Sequence, residues 1–207
     1  MNELEQTLVS RFGQDRVKSI LPRKEDDFPL IALSLQARSP ITVVMTNGLS
    51  DYEMPVPEKM KGNEFNELYF CLPSYWDIED LDNPQMNWIF HWIDRMAKHV
   101  INKQTWFGVG HTIPCGNPAV SLSDTMRQNH FFLTSPIFLE KELTPLNVGD
   151  KEVQFLGIIP IFEDEMDYKN GKGTYKLFKK LNGQGITELL DDYRMSSLKS
   201  KWRFFKK

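Results

Sequence analysis

The chain has 207 residues, 41% of them hydrophobic, with two cysteines and a formal charge of −3. That length buries a full core without covalent staples, and two cysteines exclude a disulfide framework; with no membrane-length apolar run and no basic-then-apolar leader, a cytoplasmic protein is expected. The charge is uneven: the last nine residues, Lys199 to Lys207, hold five cations and no acid, which leaves 20 basic against 28 acidic side chains and a body at −8.

Asn2, three residues ahead of Glu5, is a capping start, and Leu4, Leu8, Phe12 and Val17 recur near helical spacing, so a helix is expected over residues 2–21, weakened or broken at Gly13. Pro29 opens an alternating run in which Ile31, Leu33 and Leu35 point one way, and the β-branched stretch Ile41 to Thr46 reads as its paired neighbour, turning at Asn47-Gly48. Residues 50–63, rich in Pro, Gly, Glu and Lys, read as an exposed loop leading into a strand from Glu67 to Leu72. The clearest helix runs from about Pro84 to Ile101, capped by Asn83, with Ile89, Ile93, Met96, Ala97 and Val100 as its apolar stripe and Asp94, Arg95, Lys98 and His99 on a solvated face. Strands are expected at Thr105 to Val109, Phe131 to Phe138 and Val153 to Phe162, the last buried on both faces. A helix follows, with Tyr175, Phe178 and Leu181 three apart and Asn182-Gly183 as its stop, and then a short one from about Ile186 to Tyr193. Strands grouped between helices without βαβ alternation predict an α+β fold: a mixed, mainly antiparallel sheet covered by helices in a single domain.

Four segments carry a resemblance. Thr46-Asn47-Gly48-Leu49-Ser50 gives a T-x-G-L-S turn, Glu67 to Pro73 an E-L-x-x-x-L-P strand, Gly110-His111 a G-H strand end, and Val153 to Phe162 a long hydrophobic strand before the acidic Glu163-Asp164-Glu165-Met166-Asp167. In that order they resemble the Suppressor of fused domain family, over about residues 29–194, with residues 1–198 as the domain and 199–207 as a basic aromatic tail. The resemblance implies an α+β binding scaffold without established catalytic residues. It is nearest to stand-alone bacterial members, for which an immunity role against a cognate toxin is proposed.

The chemistry-bearing residues weigh the same way. His111 with Cys115 four residues on, or with a nearby carboxylate, gives the hydrolase or transferase alternative, but no third group is evident to orient a base. Cys71, Cys115, His91, His99, His111 and His130 form no compact ligand spacing, so no metal is expected, and glycine patterns for phosphates are absent, so no cofactor is expected either. Carboxylates at Glu163, Asp164, Glu165 and Asp167 suit a helix N-terminus and also a basic partner; Asp191-Asp192 repeat the theme. Tyr52, Tyr75 and Trp76 sit beside proline-containing loops, where aromatic anchors of protein interfaces concentrate. The expectation is a non-enzymatic protein-binding module, of immunity type, that uses Tyr52, Tyr75, Trp76 and the acidic helix start against a basic toxin domain. A regulator that binds a transcription factor, or touches nucleic acid through the tail, is the remaining alternative, although the acidic body disfavours phosphates.

Overall fold

Residues 1–199 are those that the computed structural model describes. The basic aromatic tail expected at residues 199–207 therefore lies, apart from Lys199, outside the described residues. The first helix, α1 (Glu3–Phe12), begins as its sequence dictates: the Asn2 side chain accepts from the Glu5 N–H at 2.9 Å, and Gly13, at φ +100°, ends it. Val17 consequently leaves the helix and opens a short strand, β1 (Val17–Ile20), where helix was expected. β2 (Leu30–Gln36) and β3 (Pro40–Thr46) pair antiparallel, and β4 (Asn66–Pro73) adds to β3 in the same sense.

The long helix, α2 (Trp88–Asn102), starts one turn later than expected, because Asn83 caps a tight turn by accepting from the Gln85 N–H rather than the helix itself. No strand forms at residues 105–109; the chain is irregular there and the strand lies further on, as β5 (Thr112–Pro114). β6 (His130–Thr134), β7 (Leu146–Val148) and β8 (Lys151–Ile161) complete the sheet. Two helices, α3 (Glu163–Lys172) and α4 (Thr174–Asn182), are divided by Gly173 at φ +96°. The final helix expected near residues 186–193 is absent. Leu189 instead bridges to Cys71, and the Leu190 N–H donates to the Cys71 carbonyl at 2.8 Å.

The strands lie in the order β1-β2-β3-β4-β8-β6-β5, with β7 also on β8. Every pairing is antiparallel except β4 with β8, which runs parallel from Asn66 opposite Gln154 to Tyr69 opposite Gly157. Side chains alternate between the two faces. Leu68, Phe70 and Leu72 of β4 join Phe131 and Ile158 beneath α2, whereas Tyr69 and Cys71 face α1 and the segment before β7. Trp88 of α2 meets Phe70 edge-on at 5.4 Å and stacks on Phe131 at 6.2 Å. Burial of each such side chain contributes about 1.5–3 kcal/mol, so this face anchors α2 firmly. Beyond it, Phe132, Ile159 and Ile161 receive Leu177 and Leu181 of α4. The result is a single-domain α+β fold with a mixed, mostly antiparallel sheet covered on both faces.

Candidate functional site

Three buried carboxylates hold the loops in place. Glu67, fully buried on β4, accepts from the N–H groups of Gly48 (3.1 Å), Leu49 (3.3 Å) and Ser50 (2.9 Å), from the Ser50 hydroxyl (2.7 Å) and from the Thr46 hydroxyl. Gly48 makes this possible: at φ +115° it swings successive amides towards one point, a conformation that costs a residue with Cβ. The T-x-G-L-S turn and the E-L strand are thus the two halves of one clamp. Burial pushes the Glu67 carboxyl up to about 7, against the hydrogen bonds from Thr46, Ser50 and Gly48, which favour its ionised form.

Glu188, also fully buried, accepts from the Tyr69 hydroxyl (3.2 Å) and the N–H groups of Ile137 (2.9 Å) and Leu139 (3.0 Å). A Cβ on Gly157 would meet Tyr69 Oη and Glu188 Cβ, each at 2.9 Å, which is why β8 carries glycine there. The third carboxylate, Glu165, is paired with Arg194 at 2.8 Å and accepts from the N–H groups of Phe162 (2.9 Å) and Ser197 (2.7 Å). Burial alone would raise its pKa, but the Arg194 bonds and charge outweigh that and hold the carboxyl below its usual value.

One open groove lies between α2 and β5, the edge strand of the sheet, with a cavity volume of about 330 Å³. Trp92, Met96, Phe107 and Ile113 form its apolar lining, and Arg95, His99 and Asn117 stand at its rim. His99 stacks on Phe107 at 6.3 Å between centroids, and Trp106 and His111 continue the row at 4.3 Å. One wall is β5, which ends the sheet. Ile113 faces Phe131 across the ladder, and the bonds from Leu133 N–H to the His111 carbonyl and from Cys115 N–H to the Asn129 carbonyl show that odd residues bond to β6. The N–H and C=O of Thr112 and the C=O of Pro114 therefore point away from the sheet. Lys169 of α3 secures this strand from behind, donating to the Thr112 hydroxyl at 2.9 Å. A strand edge with outward amides beside an apolar groove is the geometry to which an extended peptide adds.

A second cleft, of about 200 Å³, lies between β1 and the start of α2. Its charges are already spent on one another, Lys18 on Glu79 at 2.6 Å and Arg23 on Asp27 at 3.8 Å.

The side chains expected to meet a partner are scattered. Tyr75 is 49% exposed, with its hydroxyl on Asp192, and burial followed by that carboxylate raises its pKa. Tyr52 is half-buried against the α2 core. Trp76 is not at the surface: it is buried edge-on against Trp88 at 5.8 Å, and its indole N–H donates to the Met86 carbonyl. Glu165 is likewise fully enclosed by its Arg194 pair, so neither can touch a partner from this position. Glu163 and Asp167 are exposed, and Asp164 accepts from the Ser196 hydroxyl at 2.7 Å. The groove was not foreseen, because Arg95 and His99 read as a solvated helix face and β5 was expected elsewhere; Trp92 beside Arg95 was the available signal.

His111 and Cys115 do not form a catalytic pair. Cys115 is fully buried in the α2 core, and burial raises its thiol pKa, the reverse of what a thiolate nucleophile needs. His111 is held towards its neutral form by burial and then by Lys169, with its ring against Trp106. Among the described residues, no group of three or more His, Cys, Asp or Glu is placed to hold a metal ion. No helix among them is long and apolar enough to cross a membrane.

Residues 26–195 match the family model described as Suppressor of fused protein (SUFU). The chain belongs to the Suppressor of fused family. Solved structures of similar fold include a protein described as a SUFU homologue from Neisseria gonorrhoeae FA 1090, at TM-score 0.67 and 18% identity, covering 95% of this chain and 97% of that one. A chain of the Sufu–Fu complex superimposes at TM-score 0.63 with 16% identity, covering 94% of this chain and 89% of its own length. Drosophila Suppressor of Fused gives the same TM-score and identity, and there the match spans 49% of the longer protein. A search of curated proteins gives no match. The turn at Thr46–Ser50 and the strand at Glu67, two of the segments that carried the resemblance, are bonded to each other.

Proposed function

We propose that this chain is a non-enzymatic protein-binding module that seats an extended segment of its partner in the groove between α2 and the outer edge of β5. The observation that carries this is the outward-turned Thr112 backbone beside the apolar lining of Trp92, Met96, Phe107 and Ile113. A strand laid along that edge gains main-chain hydrogen bonds, and the groove takes alternate side chains. That a fold relative is found in the Sufu–Fu complex supports protein binding as the kind of activity.

Within this reading the module is of immunity type: it binds a cognate toxin in the cytoplasm and neutralises it by occlusion. Support comes from the acidic body, which steers a basic toxin domain towards it, and from the exposed carboxylates Glu163 and Asp167. Tyr75, exposed beside Asp192, and half-buried Tyr52 are further contact residues in this proposal.

The test is a rescue experiment. The polypeptide encoded beside this gene is expressed in a heterologous host, where it arrests growth, and this chain is co-expressed. Wild type is expected to restore growth. Thr112→Pro, which removes the outward N–H donor together with the hydroxyl that Lys169 holds, and is tolerated at a sheet edge, should weaken binding by up to about tenfold more than the loss of the hydroxyl alone, the worth of one hydrogen bond. Thr112→Val, which keeps that N–H, controls for the lost hydroxyl. Binding unaffected by Thr112→Pro and by Asn117→Trp, which fills the groove, would remove the groove from the proposal. Failure of wild type to rescue would remove the immunity role.

A further inference from the structure

We infer that the segment seated in the groove carries a carboxylate, which Arg95 and His99 select: the occupant is an extended apolar stretch with an Asp or Glu, opposite in sign to the surface that approaches the acidic body. This rests on the docking reading above and adds the chemistry of what docks.

Arg95 and His99 are one helical turn apart, so both stand on the α2 wall of the groove. No Asp or Glu lines the groove. Arg95 is exposed, and its guanidinium lies over the Trp92 ring, 5.1 Å from the centroid. That contact fixes the direction of the charge, because a guanidinium stacked on an aromatic face keeps its N–H fork free at the edges. Among the described residues no carboxylate forms a salt bridge with it. Asp94, its sequence neighbour, is turned away, holding Lys98 at 2.9 Å and the Phe28 N–H at 2.7 Å. The charge of Arg95 is felt at Cys115, just past β5, where it works against the effect of burial on the thiol.

The groove lining therefore holds a cation and no acid, in a chain whose residues 1–198 carry 20 basic and 28 acidic side chains. The two signs act at different ranges. At physiological salt the screening length is about 8 Å, so a group inside the groove responds chiefly to the cation it touches, while acids further away on the body act on the other parts of the partner that pass near them. A planar guanidinium held in one orientation pairs best with a carboxylate, through two parallel N–H···O bonds. A lysine or arginine of the ligand entering the same place would meet a like charge with no acid to offset it. The cleft between β1 and α2, whose cations are already paired, has no such preference.

A phage-displayed library of random dodecapeptides, selected against the intact protein, tests this. Groove-directed binders are those lost in Asn117→Trp, and their affinities are measured by fluorescence anisotropy against wild type, Arg95→Gln and Arg95→Glu. Arg95 is exposed, and far-UV circular dichroism and melting curves that match wild type are required of each variant before its affinity is read. The expected result is enrichment of Asp or Glu beside apolar residues, about tenfold weaker binding to Arg95→Gln, a larger loss with Arg95→Glu, and recovery when the peptide acid is changed to Lys against Arg95→Glu. Groove-directed binders without acidic enrichment, or indifferent to Arg95→Glu, would overturn this inference and leave the docking reading standing. A selection that yields no groove-directed binder would overturn both.

Discussion

Glu67 gathers five donors on one carboxyl group with no solvent in contact, so losing it orphans several groups at once. Glu67→Ala is expected to cost about 3–5 kcal/mol in urea unfolding, the range for breaking a buried charged network. Its pH dependence has an unusual sign. The folded carboxyl, raised to about 7, keeps its proton to higher pH than the unfolded one, so folding is favoured below the unfolded value and that advantage is lost as pH rises through about 7. Wild type should therefore lose up to about 3 kcal/mol relative to Glu67→Gln between about pH 4 and pH 8, and unfolding curves that shift in parallel would contradict this assignment. Glu165 has the opposite sign. Held low by Arg194, it contributes stability above the unfolded carboxylate value that disappears as pH falls through the folded one. Arg194→Ala leaves that charge buried without a partner, and a loss of about 3–5 kcal/mol by denaturant titration is expected.

β5 is positioned from behind, where Gly110, at φ +89°, lets the chain pass Thr174 at the start of α4. A Cβ there would come within 2.6 Å of Thr174 Cγ2. Gly110→Ala should lower stability by about 1–3 kcal/mol, and Thr174→Gly should recover part of it in the double variant, since it relieves the clash and leaves the backbone strain. The longer elements were legible in sequence for plain reasons. β2 alternates, β8 is buried without a break from Phe155 to Ile161, and the stripe of α2 repeats over four turns, so each has enough positions to show its pattern. β1, β5 and β7 have three or four residues and show none. Leu189 and Leu190 suggested a helix, but buried Glu188 draws that segment out straight along β4. The site was less legible still. Spacing shows which face of α2 is polar, not what stands opposite; only the pairing of β5 with β6 sets an edge beside Arg95 and His99. Trp76 and Glu165 mislead for a related reason, since a tryptophan by a loop and a carboxylate at a helix start look alike whether they face solvent or a buried partner.

At the scale of the molecule, residues 1–198 carry an excess of acid, while the groove lining holds Arg95 and no carboxylate. Association with a basic partner should slow as salt rises from about 50 to 500 mM while dissociation changes little, a contrast that stopped-flow kinetics separates. Steering that is absent from the on-rate would argue against the acidic surface as the approach face. The sheet also has a seam: β4 and β8 run parallel, joining Asn66 to Gln154 across the middle of the chain. On the ribosome, β1 to β4 and α2 emerge well before β8 exists. Until then β4, buried along nearly its whole length in the finished protein, offers one bare edge of backbone amides to anything nearby. Chains cut just before Lys151 should accumulate as aggregates when the full chain stays in the supernatant, measured by fractionation after expression. If the groove receives a strand at one edge, as proposed, the chain passes its own synthesis with a second edge open, at the centre of its sheet, that only β8 can close.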